Sequence, residues 1–218
     1  MNSDTYGHVT AAGPEYETLA SLGTYCLIDD LAAICKGNEL CNRYGMDTIS
    51  VGAAIAFAME AYEKVLITTA DTDGVRLAWG NADAMLEMVH QIVHAHGIGK
   101  ILGQGVCKAA EWIGSNAQDF AVHVKGLECP AHDPRAYFSS GLSYATSNRG
   151  ACHLAGLTHC LEDSLILPDL GFHEPFDRFS ENEKGAMVAC MQNLMGMAMP
   201  MTPKSTCRPS NRVLHGLS

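Results

Sequence analysis

The chain is 218 residues long, 47% hydrophobic and only 17% charged, with a formal net charge of -10 at pH 7. That much apolar material supports a sizeable core in one or two domains and rules out bulk disorder. The acidic balance argues against long-range attraction to nucleic acid or to an anionic membrane, and suits a small substrate or a basic partner protein.

Residues 1–18 hold Gly7, Gly13 and Pro14 among polar residues and read as a loop leading into GPEYET. Asp29 and Asp30 are placed to cap a helix whose apolar positions Leu31, Ile34, Cys35 and Cys41 follow a helical period, and Gly45 fits the left-handed position that closes it. Asp47, Thr48 and Ser50 offer caps for a second helix over 51–62, which is apolar or small nearly all round, as in a helix packed on every side. The turn at 42–47 therefore presents backbone N–H groups at the amino end of a buried helix, where an anionic or hydrogen-bonding ligand is favoured. An ordinary well-capped helix-to-helix turn accounts for the same pattern.

Segments 65–69 and 75–79 are predicted to pair as a short hairpin around Asp73 and Gly74. Asn81 caps an amphipathic helix over 82–96, with Met85, Leu86, Met88, Val89 and Ile92 on its core face and Gly97 at its end. A further helix over 105–113 is broken by Gly114, Ser115 and Asn116. Residues 120–124 are a short apolar piece before a loop over 125–135, where Cys129-Pro130 and Asp133-Pro134 forbid a regular helix. Residues 141–160 read as helical and rich in small side chains, 167–179 as a Pro-bearing loop, and 181–199 as a Met-rich helix capped by Ser180. The expected fold class is mainly α, with two helical domains at 1–120 and 121–199, a polar tail at 200–218 and one short hairpin.

Nine cysteines without a C-x-x-C pair point to buried free thiols in a reducing compartment. No secretory leader and no uncharged apolar stretch of membrane-spanning length is visible, so a soluble cytoplasmic protein is expected. His90 and His94 share a helix face at metal-ligand spacing, but Gln91 and Ile92 stand where H-E-x-x-H would differ, so they read as surface histidines rather than the ligands of a metal hydrolase. Cys152-His153 and His159-Cys160 form a mirrored pair too widely spaced for ordinary structural zinc. Gly97, Gly99, Gly103 and Gly105 match neither phosphate-loop pattern, and no G-x-S-x-G is present. Glu17 reads either as a solvated loop carboxylate or as a base over an enclosed site, and His153 either as a core histidine or as a proton donor.

GPEYET, the helix containing IDDL, NELCNRYGMDTIS, AIAFAMEAYEK, GNADAMLEM, VKGLECPAHDPR and YATSNRGACHL occur in that order. Together they make residues 13 to about 199 resemble the carboxy-terminal half of the aldehyde:ferredoxin oxidoreductases. The resemblance implies mainly helical second and third domains, tungsten held by two pyranopterins (a bis-molybdopterin site), a 4Fe-4S cluster, aldehyde oxidation to carboxylic acid, and ferredoxin as electron acceptor. It also aligns the turn with the family's pterin-contacting D-x-x-G-L-D loop. Gly45 and Asp47 match, Met46 stands for Leu, and Asn42 stands for Asp, keeping an acceptor oxygen without its charge. Glu17 falls on the acidic residue and His153 on the histidine near tungsten, implying that Glu17 orients or deprotonates water and His153 donates to the aldehyde oxygen.

The family's amino-terminal pterin-binding domain and its C-x-x-C-x-x-x-C run are missing from this sequence, and Cys207 is in register with the fourth cluster cysteine in surroundings that do not match. The expectation is a truncated or frame-shifted carboxy-terminal fragment that neither holds the cluster nor oxidises aldehydes alone, and whose uncovered apolar surface favours a homo-oligomer. The rival expectation is a non-catalytic helical subunit docking on a separate pterin-domain protein.

Overall fold

In the computed structural model, which describes residues 2–3 and 5–198, a short antiparallel pair joins β1 (Asn2–Ser3) to β2 (Gly7–His8). One turn of helix, α1 (Tyr16–Thr18), follows and passes directly into a π-helical turn (Leu19–Gly23) and a 3-10 turn (Thr24–Cys26). Of these, β1, β2 and α1 stand where residues 1–18 read as loop. Leu22 and Cys26 are fully buried, and burying them selects helical backbone over an open loop.

The rest of the first unit is helical: α2 (Leu31–Tyr44), α3 (Thr48–Glu63), α4 (Ala82–Val93), α5 (Gly99–Leu102) and α6 (Val106–Ile113). Asp30 accepts from the N–H groups of Ala32 and Ala33 at 2.9 and 3.2 Å and so starts α2, while Tyr6 donates to Asp30 at 3.1 Å. Leu31, expected in the core, is 55% exposed because the first residue of this helix faces outward. The central helix is α3, and Ala54, Ile55, Ala58, Met59 and Ala61 are buried along it. α4 contributes Met85, Met88 and Val89 to the same core.

The hairpin expected over 65–79 does not form. Thr68 N and Oγ1 donate to Asp71 at 2.8 and 2.9 Å, and Thr72 Oγ1 donates to the Val75 carbonyl at 2.6 Å. These local side-chain bonds compete with a strand ladder and fold the segment into successive turns. α4 also ends sooner than expected, at Val93, where the chain turns left-handed at Ala95 (φ 48°) before Gly97.

After Val122 the chain forms a second compact unit. Here β3 (His123–Val124), from the short apolar piece, pairs with β4 (Leu127–Glu128), inside the region read as loop, through Lys125 and Gly126, both at positive φ (55° and 80°). α7 (Phe138–Thr146), a 3-10 turn (His153–Ala155), α8 (His159–Asp163) and α9 (Lys184–Ala198) complete it. The helix expected over 141–160 is thus interrupted. Gly150 sits at φ 90° with its α-carbon so close to the Val124 carbonyl that no Cβ would fit, which turns the chain out of the helix. α9 starts at Lys184 rather than 181, with Ser180 Oγ accepting from Asn182 N at 3.2 Å in the turn before it. Leu161, Met187 and Met191 form the core of this unit, with Phe172 and Phe176 against it. Among the described residues no single helix is long and apolar enough to cross a membrane.

Candidate functional site

The turn between α2 and α3 is built by two caps. Gly45 takes the left-handed conformation (φ 69°, ψ 32°), and the N–H groups of Gly45 and Met46 donate to the carbonyls of Asn42 and Cys41 at 3.3 and 2.8 Å. Asp47 then caps α3, its Oδ2 accepting from Ser50 N at 2.9 Å. Met46 packs its side chain on the core, whereas Asn42, Gly45 and Asp47 are exposed. Asn42 Nδ2 donates one hydrogen to Asn38 Oδ1 at 3.0 Å, which leaves its carbonyl oxygen and its second N–H for a ligand. Asp47 likewise has its second oxygen uncommitted among the described residues. Just below, the buried Ser50 hydroxyl has no hydrogen-bond partner. While the Ser50 hydroxyl is enclosed by protein, the turn offers outward acceptors at the amino end of a buried helix. Such a set suits the amino and ring N–H donors of a pterin edge.

Glu17 lies in α1, in the same unit, and is 9% exposed, so the solvated-loop reading does not hold for it. Its neighbour Thr18 shares a hydrogen bond with Thr48, the first residue of α3: their Oγ1 atoms are 2.8 Å apart. The structure thus ties the Glu17 element to the end of the turn between α2 and α3. Sequence reasoning offered Thr48 only as a cap and gave Thr18 no part; the shared signal is that each directly follows a candidate carboxylate, Glu17 or Asp47.

His153 belongs to the second unit, in the 3-10 turn, half-buried. Its ring stacks on His132, with centroids 5.0 Å apart and planes 8° from parallel, and His132 in turn lies 4.0 Å from His159. Tyr144 donates to the His132 carbonyl at 2.7 Å and fixes the loop that carries it. His132 was missed: it sits in a loop between Pro130 and Pro134, where no periodicity brings it to notice. The mirrored Cys-His pairs contribute their imidazoles to this cluster, and Cys152 and Cys160 form no disulfide.

The other candidates part from any site. His90 and His94 are exposed, with parallel rings 6.4 Å apart, and His96 pairs with Asp73 at 3.5 Å. The described cysteines form no disulfides, and burial pushes the thiols of Cys26 and Cys41 up to about 12, which keeps them protonated. Among the described residues no cysteines gather into a ligand group, so a 4Fe-4S cluster does not fit them; Cys207 and the tail at 200–218 lie outside the described residues.

The sequence profile of the family described as aldehyde ferredoxin oxidoreductase, domains 2 & 3, matches residues 1–202. The tungsten-containing aldehyde ferredoxin oxidoreductase of Pyrococcus furiosus is 41% identical over 188 residues, covering 85% of this chain and 30% of the relative. Its counterpart in Thermococcus kodakarensis is 37% identical over 188 residues, again 85% of this chain and 30% of the relative. An aliphatic sulfonate oxidoreductase, WOR-like subunit, of Pyrococcus furiosus is 36% identical over 146 residues, 64% of this chain and 23% of the relative. Among solved structures, the active site complex BamBC of benzoyl coenzyme A reductase in complex with 1,5 dienoyl-CoA shares the fold, with a TM-score of 0.60 at 21% identity over 86% of this chain and 32% of that one. The chain spans about 30% of the length of the curated aldehyde ferredoxin oxidoreductases it matches. With a helical fold and a match over most of its length, the chain belongs to the aldehyde ferredoxin oxidoreductase family, of which it represents domains 2 and 3.

Proposed function

We propose that this chain supplies the helical part of a tungsten-pyranopterin oxidoreductase that converts aldehydes to carboxylic acids and delivers the electrons to ferredoxin. The observation that carries the reading is the turn itself: Asn42 and Asp47 present exposed acceptors in a chain related over 85% of its length to tungsten-containing enzymes. Asn42 and Asp47 bind and orient the pterin edge, with Gly45 shaping the backbone between them and Met46 anchoring the turn to the core. When bound, tungsten pyranopterin supplies the two-electron acceptance that no side chain here can. Oxidising an aldehyde with water releases two protons and two electrons. Glu17 takes up a proton from the attacking water, and its burial excludes bulk solvent from that exchange. His153 donates a hydrogen bond to the aldehyde oxygen.

The test is to express the chain with the complementary amino-terminal portion of the Pyrococcus furiosus relative in tungstate medium, and to measure bound tungsten, pterin and aldehyde-dependent viologen reduction. Tungsten, pterin and turnover are expected from the assembly and not from the 218-residue chain alone. Robust turnover by the isolated chain would refute the division of labour proposed.

A second reading, a non-catalytic subunit docking on a separate pterin protein, is favoured by one relative that is itself described as a subunit. An assembly that holds pterin but gives the same rate with Glu17→Gln as with the natural chain would decide for it.

A further inference from the structure

We propose that Thr18 and Thr48 form a positioning pair that sets the Glu17 carboxylate relative to the ligand-facing turn. The inference rests on the reading of Glu17 as the proton-accepting group.

α1 has three residues, too few to hold a helical conformation by its own hydrogen bonds, and it passes at once into a wider π turn rather than continuing as α-helix. What α1 packs against therefore bears on the location of Glu17, and the amino end of α3 is one such neighbour. Three contacts join residues 18–26 to α3. The first is the 2.8 Å hydrogen bond between the hydroxyls of Thr18 and Thr48. One turn further along, the Ser21 backbone lies against Gly52 so closely that a Cβ on Gly52 would overlap it. Between the two strips, Cys26 Sγ reaches the carbonyls of both Ser21 and Gly52, at 3.7 and 3.8 Å.

The spacings match. Thr48 and Gly52 are four apart on one face of α3, and Thr18 and Ser21 are three apart on the facing segment. The glycine contact and the thiol fix how closely the backbones approach. Neither lies at Glu17, and backbone contact alone leaves the segment free to slide along the α3 axis. The hydroxyl pair is the contact next to Glu17, and a 2.8 Å hydrogen bond weakens steeply when its partners shift, so it resists that sliding. Thr18 is 5% exposed and Thr48 half-buried, so water competes little for their bond. Asp47, which caps α3, immediately precedes Thr48 as Glu17 precedes Thr18, so one hydrogen bond sets the spacing of both carboxylates.

The test makes Thr18→Val, Thr48→Val, the double variant, and Thr18→Ser and Thr48→Ser. Each is read in the pterin-loaded assembly for kcat and KM with an aldehyde and viologen, and in the unloaded chain for amide exchange. Each valine variant is expected to lower kcat about tenfold or more with KM within about twofold, because a small displacement of a reacting group is costly. The double variant is expected to be no worse than either single one, and the serine variants to recover most of the rate. In the unloaded chain Thr48→Val is expected to speed exchange at residues 16–23 while α9 exchanges as before. A folded Thr48→Val chain with natural exchange over 16–23, or valine variants with natural kcat, overturns the proposal. Thr18→Val carries the same test if Thr48→Val fails to fold. Glu17→Gln separates this failure from failure of the functional reading. An active Glu17→Gln assembly refutes the role of Glu17, whereas an inactive one beside fully active valine variants refutes only the positioning pair.

Discussion

The thiol of Cys26 bridges two backbones, standing within reach of the Ser21 and Gly52 carbonyl oxygens at once. A thiol has a single hydrogen, so it donates to one of them and packs on the other. Its burial, and that of Cys41, pushes both groups up to about 12. Alkylation of the folded chain at pH 8, followed by mass spectrometry, is therefore expected to leave Cys26 and Cys41 unmodified while the partly exposed Cys107 reacts. Labelling of Cys26 at the rate of Cys107 would mean that the segment 19–26 opens far more readily than its packing implies.

Gly52 and Gly45 separate two reasons for glycine. At Gly52 the obstacle is space, since a Cβ would run into Ser21; at Gly45 the surroundings are open and only φ 69° resists a side chain. Gly52→Ala is expected to destabilise the chain by about 1–3 kcal/mol through overpacking. Gly45→Ala is expected to cost about 1 kcal/mol through backbone strain. Urea unfolding of both variants checks the order, and equal losses would contradict the close approach at Gly52.

In the second unit, Lys184 and Glu162 form a buried ion pair, and Ser139 Oγ donates to the other Glu162 oxygen at 2.7 Å. Lys184 also donates to the Asp177 carbonyl at 2.8 Å. Lys184→Met leaves the carboxylate buried without its cation and is expected to cost about 3–5 kcal/mol, whereas replacing both residues by apolar ones costs less than that single change. Thermal unfolding of the two single variants and the double one supplies the comparison.

Glu39 gives the first unit a definite acid response. It is buried beside Lys36 and Arg43, at 2.8 and 2.6 Å, and the hydrogen bond from Lys36, more than the other contacts, holds its carboxyl below the ordinary value of 4.5. A carboxyl lowered in the folded state stabilises fully above its unfolded value and loses that contribution as pH falls through the folded one. Glu39→Gln should thus be less stable than the natural chain at neutral pH, with the gap closing as pH drops below about 4. A gap independent of pH would remove the ion pairs as its cause.

The helices were legible where one residue does one job. Asp30, Asp47 and Asn81 start α2, α3 and α4 through side-chain caps, and Gly45 closes α2, as their types suggest. The mainly helical class followed from those signals. The segment 64–80 misled because Val65 and Val75 look like strand residues, while Thr68, Asp71 and Thr72 hydrogen-bond within their own turns. The run 141–160 misled because small residues permit a helix without requiring one, and the close approach of Gly150 to Val124 is a tertiary fact. In the candidate site, Asn42 and Asp47 were singled out through the family resemblance, whereas the pattern alone pointed to backbone N–H groups at that turn. The Thr18–Thr48 bond joins residues thirty positions apart, and the stacking of His132 on His153 and His159 depends on how a proline-bearing loop folds back; no local period encodes either.

α3 is lined with Ala54, Ala58 and Ala61, side chains with no rotamers to choose among. The helix is seated by backbone proximity, while the acceptors proposed above to hold the pterin stand on the exposed turn ahead of it. On that proposal, substitutions at Asn42 alter what is bound without disturbing the seat, so ligand preference there is separable from folding.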